Sequence, residues 1–412
     1  PAVTKEVNLY SLGGGDRFEI KGDHPNRIRV RLIGGNEPDT YIDSVTQRAG
    51  KRIGIYDLKN GKDTFLLGAN EKFRLSGDPA NIAYNREAFK YNKLMPMLAG
   101  GYNRDDGVLL GLALQYTHQG FRKEPFGAKH TFSASHALAT RAYNFKYEGE
   151  LTDVIGKADL LLFARARAPH NTTNFFGYGN ETVFDKSGGQ TISYYRARYN
   201  LYTAEALLKT KLSNHVNIGY GPHLHYYALD KDENNNRFIT NFPLNKLDSA
   251  GVFKDKYYAG AKVALQIDTR NNTLVPSRGI LWTTSLMGSR GLVTDGKQYL
   301  QLQTDLSMYM SFRIPANLVI VSRFGGGVNW GDYEFFQAVT LGGTQNLRGY
   351  RNYRFSGSSA VYNNTEIRLK LFDFTTYVLP GSVGLIAFND IGRVWQQGET
   401  SHVWHDGFGG GL

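Results

Sequence analysis

Between Tyr299 and Phe312 the side chains alternate with a period of two. Leu300, Leu302, Leu306, Met308, Met310 and Phe312 share one face, interrupted by Thr304, while Gln301, Gln303, Asp305, Ser307 and Ser311 lie on the other with Tyr309. Period two is the signature of a strand with unlike faces. The alternation runs for about fourteen residues, against five or six in an ordinary globular strand. That length, apolar on one side and polar on the other, suits a strand that crosses a bilayer in the wall of a barrel. Comparable segments recur at 94–103, 107–120, 129–139, 141–152, 157–168, 192–212, 215–229, 257–269, 279–290, 297–313, 318–331, 358–373 and 382–395, and another begins at 405–412. Short connections (153–156, 213–214, 314–317) alternate with long ones (169–191, 230–256, 332–357). If the first strand runs outward, all three long connections fall on the extracellular side, as outer-membrane barrels require.

The first 90 residues read differently, as short strands broken by Gly, Asn and Asp. At 26–33, Ile28, Val30 and Leu32 alternate with Arg27, Arg29 and Arg31, which predicts a half-buried strand with a solvated basic face. The expected organisation is a small β-rich domain over 1–90 followed by a barrel over 91–412. No basic-then-apolar leader opens the chain at Pro1, so a mature form or a piece of a longer protein is expected.

Composition agrees with this all-β reading. The 412 residues include 47 Gly, 26 Tyr and 24 Phe, but no Cys, which removes disulfides and thiolate chemistry. No apolar run reaches the roughly 18 residues of a membrane-spanning helix. The 48 basic and 37 acidic residues give a net charge of +11. A soluble nucleic-acid binder fits that charge but gives no reason for the 299–312 strand, so no nucleic-acid partner is expected.

Candidate chemistry is sparse. In Lys21–Pro25, His24 directly follows Asp23 and precedes a Pro, a turn rather than a metal site. The acidic stretch 230–236 lacks the fixed Gly and terminal Glu of an EF-hand loop. His223 and His225 share a strand face and read as lumen polar residues, while the aromatics of 174–180 (NFFGYGN) read as an interfacial girdle. Neither a nucleophile elbow nor a phosphate loop is present. No catalytic residue, metal or cofactor is expected, and the chain is not expected to be an enzyme.

The loop after the eleventh predicted strand contains TLGGTQNLRGY, residues 340–350. Here the chain resembles the BamA/TamA superfamily of outer-membrane assembly-factor barrels, the bacterial surface antigen type, whose sixth extracellular loop carries a [V/L]-R-G-[F/Y] tetrapeptide. Leu347, Arg348, Gly349 and Tyr350 match it. Three further matches follow family order: Asp268 and Arg270 with Pro276 and Gly279 resemble the D-x-R and P-x-x-G stretch. Asn364 and Glu366 match N-x-E, and 388–395 (FNDIGRVW) match F-x-D-x-G-x-V-W. The resemblance covers about 94–412.

On physical grounds, a guanidinium folded back into a partly desolvated lumen needs carboxylate partners. Glu366 shares a face with Arg368 and Lys370, opposite Ile367, Leu369 and Leu371, and Asp390 belongs to the next strand. The resemblance implies that Arg348 pairs with these carboxylates and locks the loop, with Gly349 and Tyr350, to the inner wall. The residues leave open whether this is a static brace or a switch.

The resemblance further implies a transmembrane antiparallel β-barrel of the sixteen-stranded type, of which about fourteen strands are present, in the bacterial outer membrane. Its expected function is insertion or translocation of proteins. Expected partners are outer-membrane lipids and lipopolysaccharide, client outer-membrane proteins and other assembly subunits. The chain departs from the family pattern twice. It ends inside the fourteenth strand, so a fragment is expected, and no β-α-α-β-β POTRA repeat is visible before the barrel. The first 90 residues instead resemble the pre-barrel stretch of Bacteroidota proteins that carry a metallophosphoesterase upstream. The alternative is therefore a membrane anchor for such a domain, or an accessory subunit of an assembly machine.

Overall fold

A computed structural model describes residues 4–23, 28–45, 53–67, 71–292, 297–314, 316–375 and 380–412. Arg27 and His24, singled out above, lie outside the described residues. The chain forms two compact units, residues 1–91 with 119–124, and residues 92–118 with 125–412.

Among the described residues of the first unit, seven short strands alternate between two sheets. β1 (Glu6–Tyr10), β3 (Arg29–Ile33), β5 (Ile53–Leu58) and β7 (Glu71–Ser76) form one sheet; β2 (Arg17–Ile20), β4 (Thr40–Asp43) and β6 (Thr64–Leu66) form the other. Every pairing is parallel, so the chain winds as a two-sided coil. A repeat produces the winding: DRFEI from Asp16, DTYID from Asp39 and DTFLL from Asp63 occupy equivalent places on successive turns. Phe18, Tyr41 and Phe65 stack with ring centroids 5.2 and 5.3 Å apart and planes within 10°, close to the strand spacing of about 4.8 Å. The Asp carboxylates form a second ladder. Asp39 Oδ1 accepts from the Asp16 amide at 2.8 Å, and Asp63 Oδ1 from the Asp39 amide at 2.9 Å. Between the sheets Leu32, Tyr41 and Ile55 form the core. The solvated basic face expected for β3 is not observed at Arg31. It is only 6% exposed, donates to Asn8 Oδ1 at 3.0 Å and pairs with Glu6 at 3.1 Å, because these β1 side chains flank it and the Phe121 ring lies 4.4 Å from its guanidinium.

In the second unit the chain runs as an up-and-down antiparallel sheet. Its first strands are β8 (Lys93–Asn103), β9 (Gly107–His118), β10 (Ala128–Ala137), β11 (Ala142–Ile155) and β12 (Ala158–Arg167). A small hairpin, β13 (Thr172–Asn174) with β14 (Arg196–Arg198), sits in the following connection. The wall resumes with β15 (Asn200–Lys211), β16 (Val216–Ala228), β17 (Lys256–Asp268), β18 (Gly279–Gly291), β19 (Gln298–Ile314) and β20 (Ala316–Gly331). A second hairpin, β21 (Val339–Leu341) with β22 (Phe355–Gly357), precedes β23 (Ser359–Phe374), β24 (Gly381–Trp395) and β25 (His405–Gly411). The wall is one 14-stranded sheet with β8 and β25 at its ends.

The predicted segment 192–212 is corrected at its start. Residues 196–198 pair with 172–174 in the loop hairpin, and the wall strand begins at Asn200. The connections 168–199, 229–255 and 332–358 leave the same end of the sheet, and 332–358 is the sixth at that end. No helix among the described residues is long and apolar enough to cross a membrane. The outward side chains of the wall strands, among them Leu110, Leu112, Leu286, Leu300, Met310 and Ile367, are exposed. Facing in, Gln301 donates to Asn329 Oδ1, and Arg323 binds Asp305. Half of each strand thus faces lipid and half a polar lumen, which is why mean hydropathy is low.

The long connections fold over the outer mouth around an apolar core of their own. Phe175 and Phe176, only 2% and 3% exposed, pack with Tyr195, Tyr227, Ile239 and Phe335. This overturns the girdle reading of 174–180. Those aromatics face the core of a cap, because the three long loops pack on one another and on Leu201 and Tyr227 of β15 and β16.

Candidate functional site

The sixth outer connection carries the candidate site. After β21 the chain turns at Gly342–Asn346, where Asn346 Oδ1 accepts from the Gly342 amide at 2.8 Å and Asn346 Nδ2 donates to Thr340 O at 3.1 Å. Leu347 is fully buried with Leu341 and Val394, which fixes the orientation of the next residue. Arg348 reaches the wall. Its Nε and Nη2 donate to Asp390 Oδ2 and Oδ1 at 2.7 and 2.6 Å, and Nη1 donates to Glu366 Oε1 at 2.6 Å. The Arg348 amide also donates to Asp390 Oδ2 at 2.9 Å. The guanidinium lies over the Phe388 ring, 3.7 Å from its centroid. Asp390 has no exposed surface, and its hydrogen bonds hold the Arg348 guanidinium above its ordinary pKa. The other oxygen of Glu366 accepts from Arg368 Nε and Nη2 at 2.9 and 2.6 Å, so two arginines share this carboxylate.

Gly349 adopts φ +92°, a left-handed conformation that side-chain-bearing residues avoid. Tyr350 packs on Phe355 and His405, with centroids 5.6 and 5.8 Å away, and Phe355 stacks on His405 at 3.8 Å. At Gly407 of β25 a Cβ would stand 2.2 Å from Arg348 O, so the motif backbone lies against that strand. The structure therefore brings Arg348, Gly349 and Tyr350 of the loop together with Glu366 of β23 and Asp390 of β24, against β25.

Three further contacts were not read from the sequence. Arg323 of β20 binds Asp305 through Nε at 3.0 and 2.8 Å and also donates to Gln345 O at 2.5 Å, holding the loop just before the motif. Asn180, fully buried in the third outer connection, uses its whole amide. Nδ2 donates to Ser401 Oγ and Val403 O, both at 2.9 Å, and Oδ1 accepts from the Val394 amide at 3.0 Å. Its backbone amide donates to Glu399, and its carbonyl accepts from His405 Nε2 at 2.8 Å. Asp105, in the turn between β8 and β9, accepts from Arg351 Nη1 at 2.6 Å and from the Asn352 amide at 3.0 Å. Its partners are 246 and 247 residues away, a separation that leaves no local signal in a single sequence.

Among the described residues no three His, Asp or Glu side chains cluster as metal ligands. His223 and His225 pack edge to face at 4.2 Å, and His223 Nε2 lies 2.6 Å from Ser289 Oγ. His223 is fully buried, hence a packed residue rather than a lumen surface.

Residues 66–411 match the Omp85 superfamily domain. Among solved structures, the fold is similar to that of BamA from Haemophilus ducreyi lacking POTRA domains 1–3, with a TM-score of 0.52 and 14% identity; the match covers 74% of this chain and 58% of that one. It is also similar to CdiB from Acinetobacter baumannii, with a TM-score of 0.42 and 13% identity over 77% of this chain and 53% of that one. This chain thus spans less than two thirds of either structure. No curated protein matches it.

Proposed function

The chain belongs to the Omp85 superfamily, a barrel of the outer membrane, and we propose that it works in the insertion or translocation of proteins there. The observation that carries this reading is the sixth loop folded into the lumen and held on the last strands by Arg348, beneath a packed cap over the outer mouth. A lumen obstructed in this way is a poor diffusion pore, so the wall itself is the working surface. A client strand would pair with β8 where the wall parts, taking up backbone donors and acceptors that a sheet edge presents. The lock formed by Arg348, Glu366 and Asp390 would hold the last strands in register while the client adds. No chemical step is involved, and the work is strand pairing. Clients are outer-membrane proteins, and lipids with lipopolysaccharide surround the apolar exterior. The test is depletion of the protein followed by quantification of the outer-membrane proteome; unchanged levels of other barrel proteins would exclude the insertase reading.

One observation favours a second reading, an anchor or accessory subunit. The first unit is a parallel coil whose helical content among the described residues is the single turn Pro79–Asn81, unlike a β-α-α-β-β POTRA module. On this reading depletion leaves client levels intact and releases a tethered partner from the membrane.

A further inference from the structure

The sixth loop is held at two places that lie far apart along the sheet. Arg348 is bound to Asp390 on β24, and three residues later Arg351 and Asn352 are bound to Asp105 in the turn between β8 and β9. From β24 to β9 the sheet order runs through eleven inter-strand steps, roughly 50 Å at about 4.8 Å each. Three residues of extended chain span only about 10 Å. The two ends of the sheet are therefore curled toward each other, and the short segment 348–352 bridges them on the inside.

We propose that Asp105 is the releasable anchor of this bridge, so that the sixth loop ties the first hairpin to the last strands and restrains parting of the wall between them. For β8 to move away from β24 and β25, one end of the tie must let go. The Arg348 end has three side-chain hydrogen bonds to two carboxylates, a backbone hydrogen bond and the Phe388 ring. The Asp105 end reaches the loop through one guanidinium contact and one amide. Asp105 is 7% exposed, and its own carbonyl accepts from Arg196 Nη2, so the turn itself stays braced when the loop contact breaks. Asn174 Nδ2 holds the Asn352 carbonyl at 3.0 Å, which keeps the released segment near its seat. The inference rests on the insertion reading for its purpose, but not for its geometry.

The test is amide hydrogen exchange on the full chain in lipid nanodiscs. Asp105→Asn keeps the shape and removes the charge that Arg351 and the Asn352 amide address. Residues 93–106 and 349–354 should then exchange about tenfold faster or more, while 359–374 and 381–395 stay within about twofold of wild type. Exchange at 93–106 that stays within about twofold would overturn the proposal, as would equal acceleration of every strand, which marks general destabilisation. Arg351→Gln should reproduce the pattern, and it serves if Asp105→Asn does not fold. The double variant should add less than about twofold to either single one; multiplicative acceleration would show that the two residues do not act as a pair. A client-insertion assay on the same nanodiscs separates the two readings. Local acceleration without client insertion by either wild type or variant would leave the tie standing and remove the insertion function, whereas unchanged exchange with client insertion intact removes the tie alone.

Discussion

Removing Arg348 should cost far more at Asp390 than at Glu366, and this asymmetry is the most direct check of the lock. In the native arrangement Arg348 satisfies a carboxylate with no exposed surface and a second that is partly exposed. After Arg348→Ala, Asp390 stays buried without its cation, the situation that costs about 3–5 kcal/mol when one partner of a buried pair is deleted. Glu366 fares better, because Arg368 still binds its other oxygen through two hydrogen bonds. Its share of the loss should be about 1 kcal/mol, as for partly exposed pairs. The single substitutions should follow the same order. Asp390→Ala removes two of the guanidinium's three side-chain hydrogen bonds and should cost about 3 kcal/mol or more. Glu366→Ala should cost about 1–2 kcal/mol. Arg348→Lys keeps the charge but cannot reproduce the two-pronged contact or the stacking on Phe388, and should fall between wild type and Ala. The assay is urea unfolding in detergent followed by Trp fluorescence, with protease nicking of 342–358 as a local readout. Equal losses for Asp390→Ala and Glu366→Ala, or less than about 1 kcal/mol for Arg348→Ala, would refute the reasoning.

Other expectations follow from the same structure. Asn180→Ala deprives the buried Val394 amide of its side-chain acceptor and releases the carbonyl of the exposed Val403. It should cost about 2–4 kcal/mol, read as faster amide exchange across 394–405 ahead of the rest of β24; unaltered exchange there would show that Asn180 is dispensable. Phe335→Ala opens a cavity in the cap core and should lower cap stability by about 3–5 kcal/mol, seen as protease cleavage in 175–195 or 230–250 while the wall strands stay folded. In the first unit, burial raises the Asp57 carboxyl above its ordinary value, although Tyr41 donates to it at 2.6 Å. The folded form therefore holds this proton more tightly than the unfolded one. Asp57 contributes stability at pH below its unfolded value of about 3.9, and loses that contribution as pH rises through the raised folded value. Protease resistance of 53–67 should fall across that window in wild type and become flatter in Asp57→Asn; identical pH profiles would exclude Asp57 as the group.

Legibility differs between the two units for a physical reason. In the wall each strand is long, and one face meets lipid while the other meets a polar lumen, so the pattern of β19 identifies the fold by itself. Connection lengths then placed the long loops at one end, since an up-and-down sheet alternates ends at every turn. The first unit was readable only as β-rich. Its strands are three to six residues long, too short for periodicity to set their direction, and parallel winding is visible only in the Asp-x-aromatic repeat at 16, 39 and 63. The aromatics of 174–180 were misplaced because a girdle and a cap core draw on the same residues. What separates them is whether other loops arrive to cover them, and that is a matter of tertiary structure.

The sequence alone therefore determined the class of fold and the number and order of wall strands, and through the family resemblance it implied the pairing of Arg348 with Glu366 and Asp390. These depend on local alternation and on charges that must be matched wherever they are buried. Tertiary structure decided which other residues complete the site. Asn180, Arg323 and Asp105 are ordinary polar residues in sequence; Asn180 and Asp105 become anchors because curling the sheet brings distant loops into contact, and Arg323 because the sixth loop folds back over the wall beside its own strand.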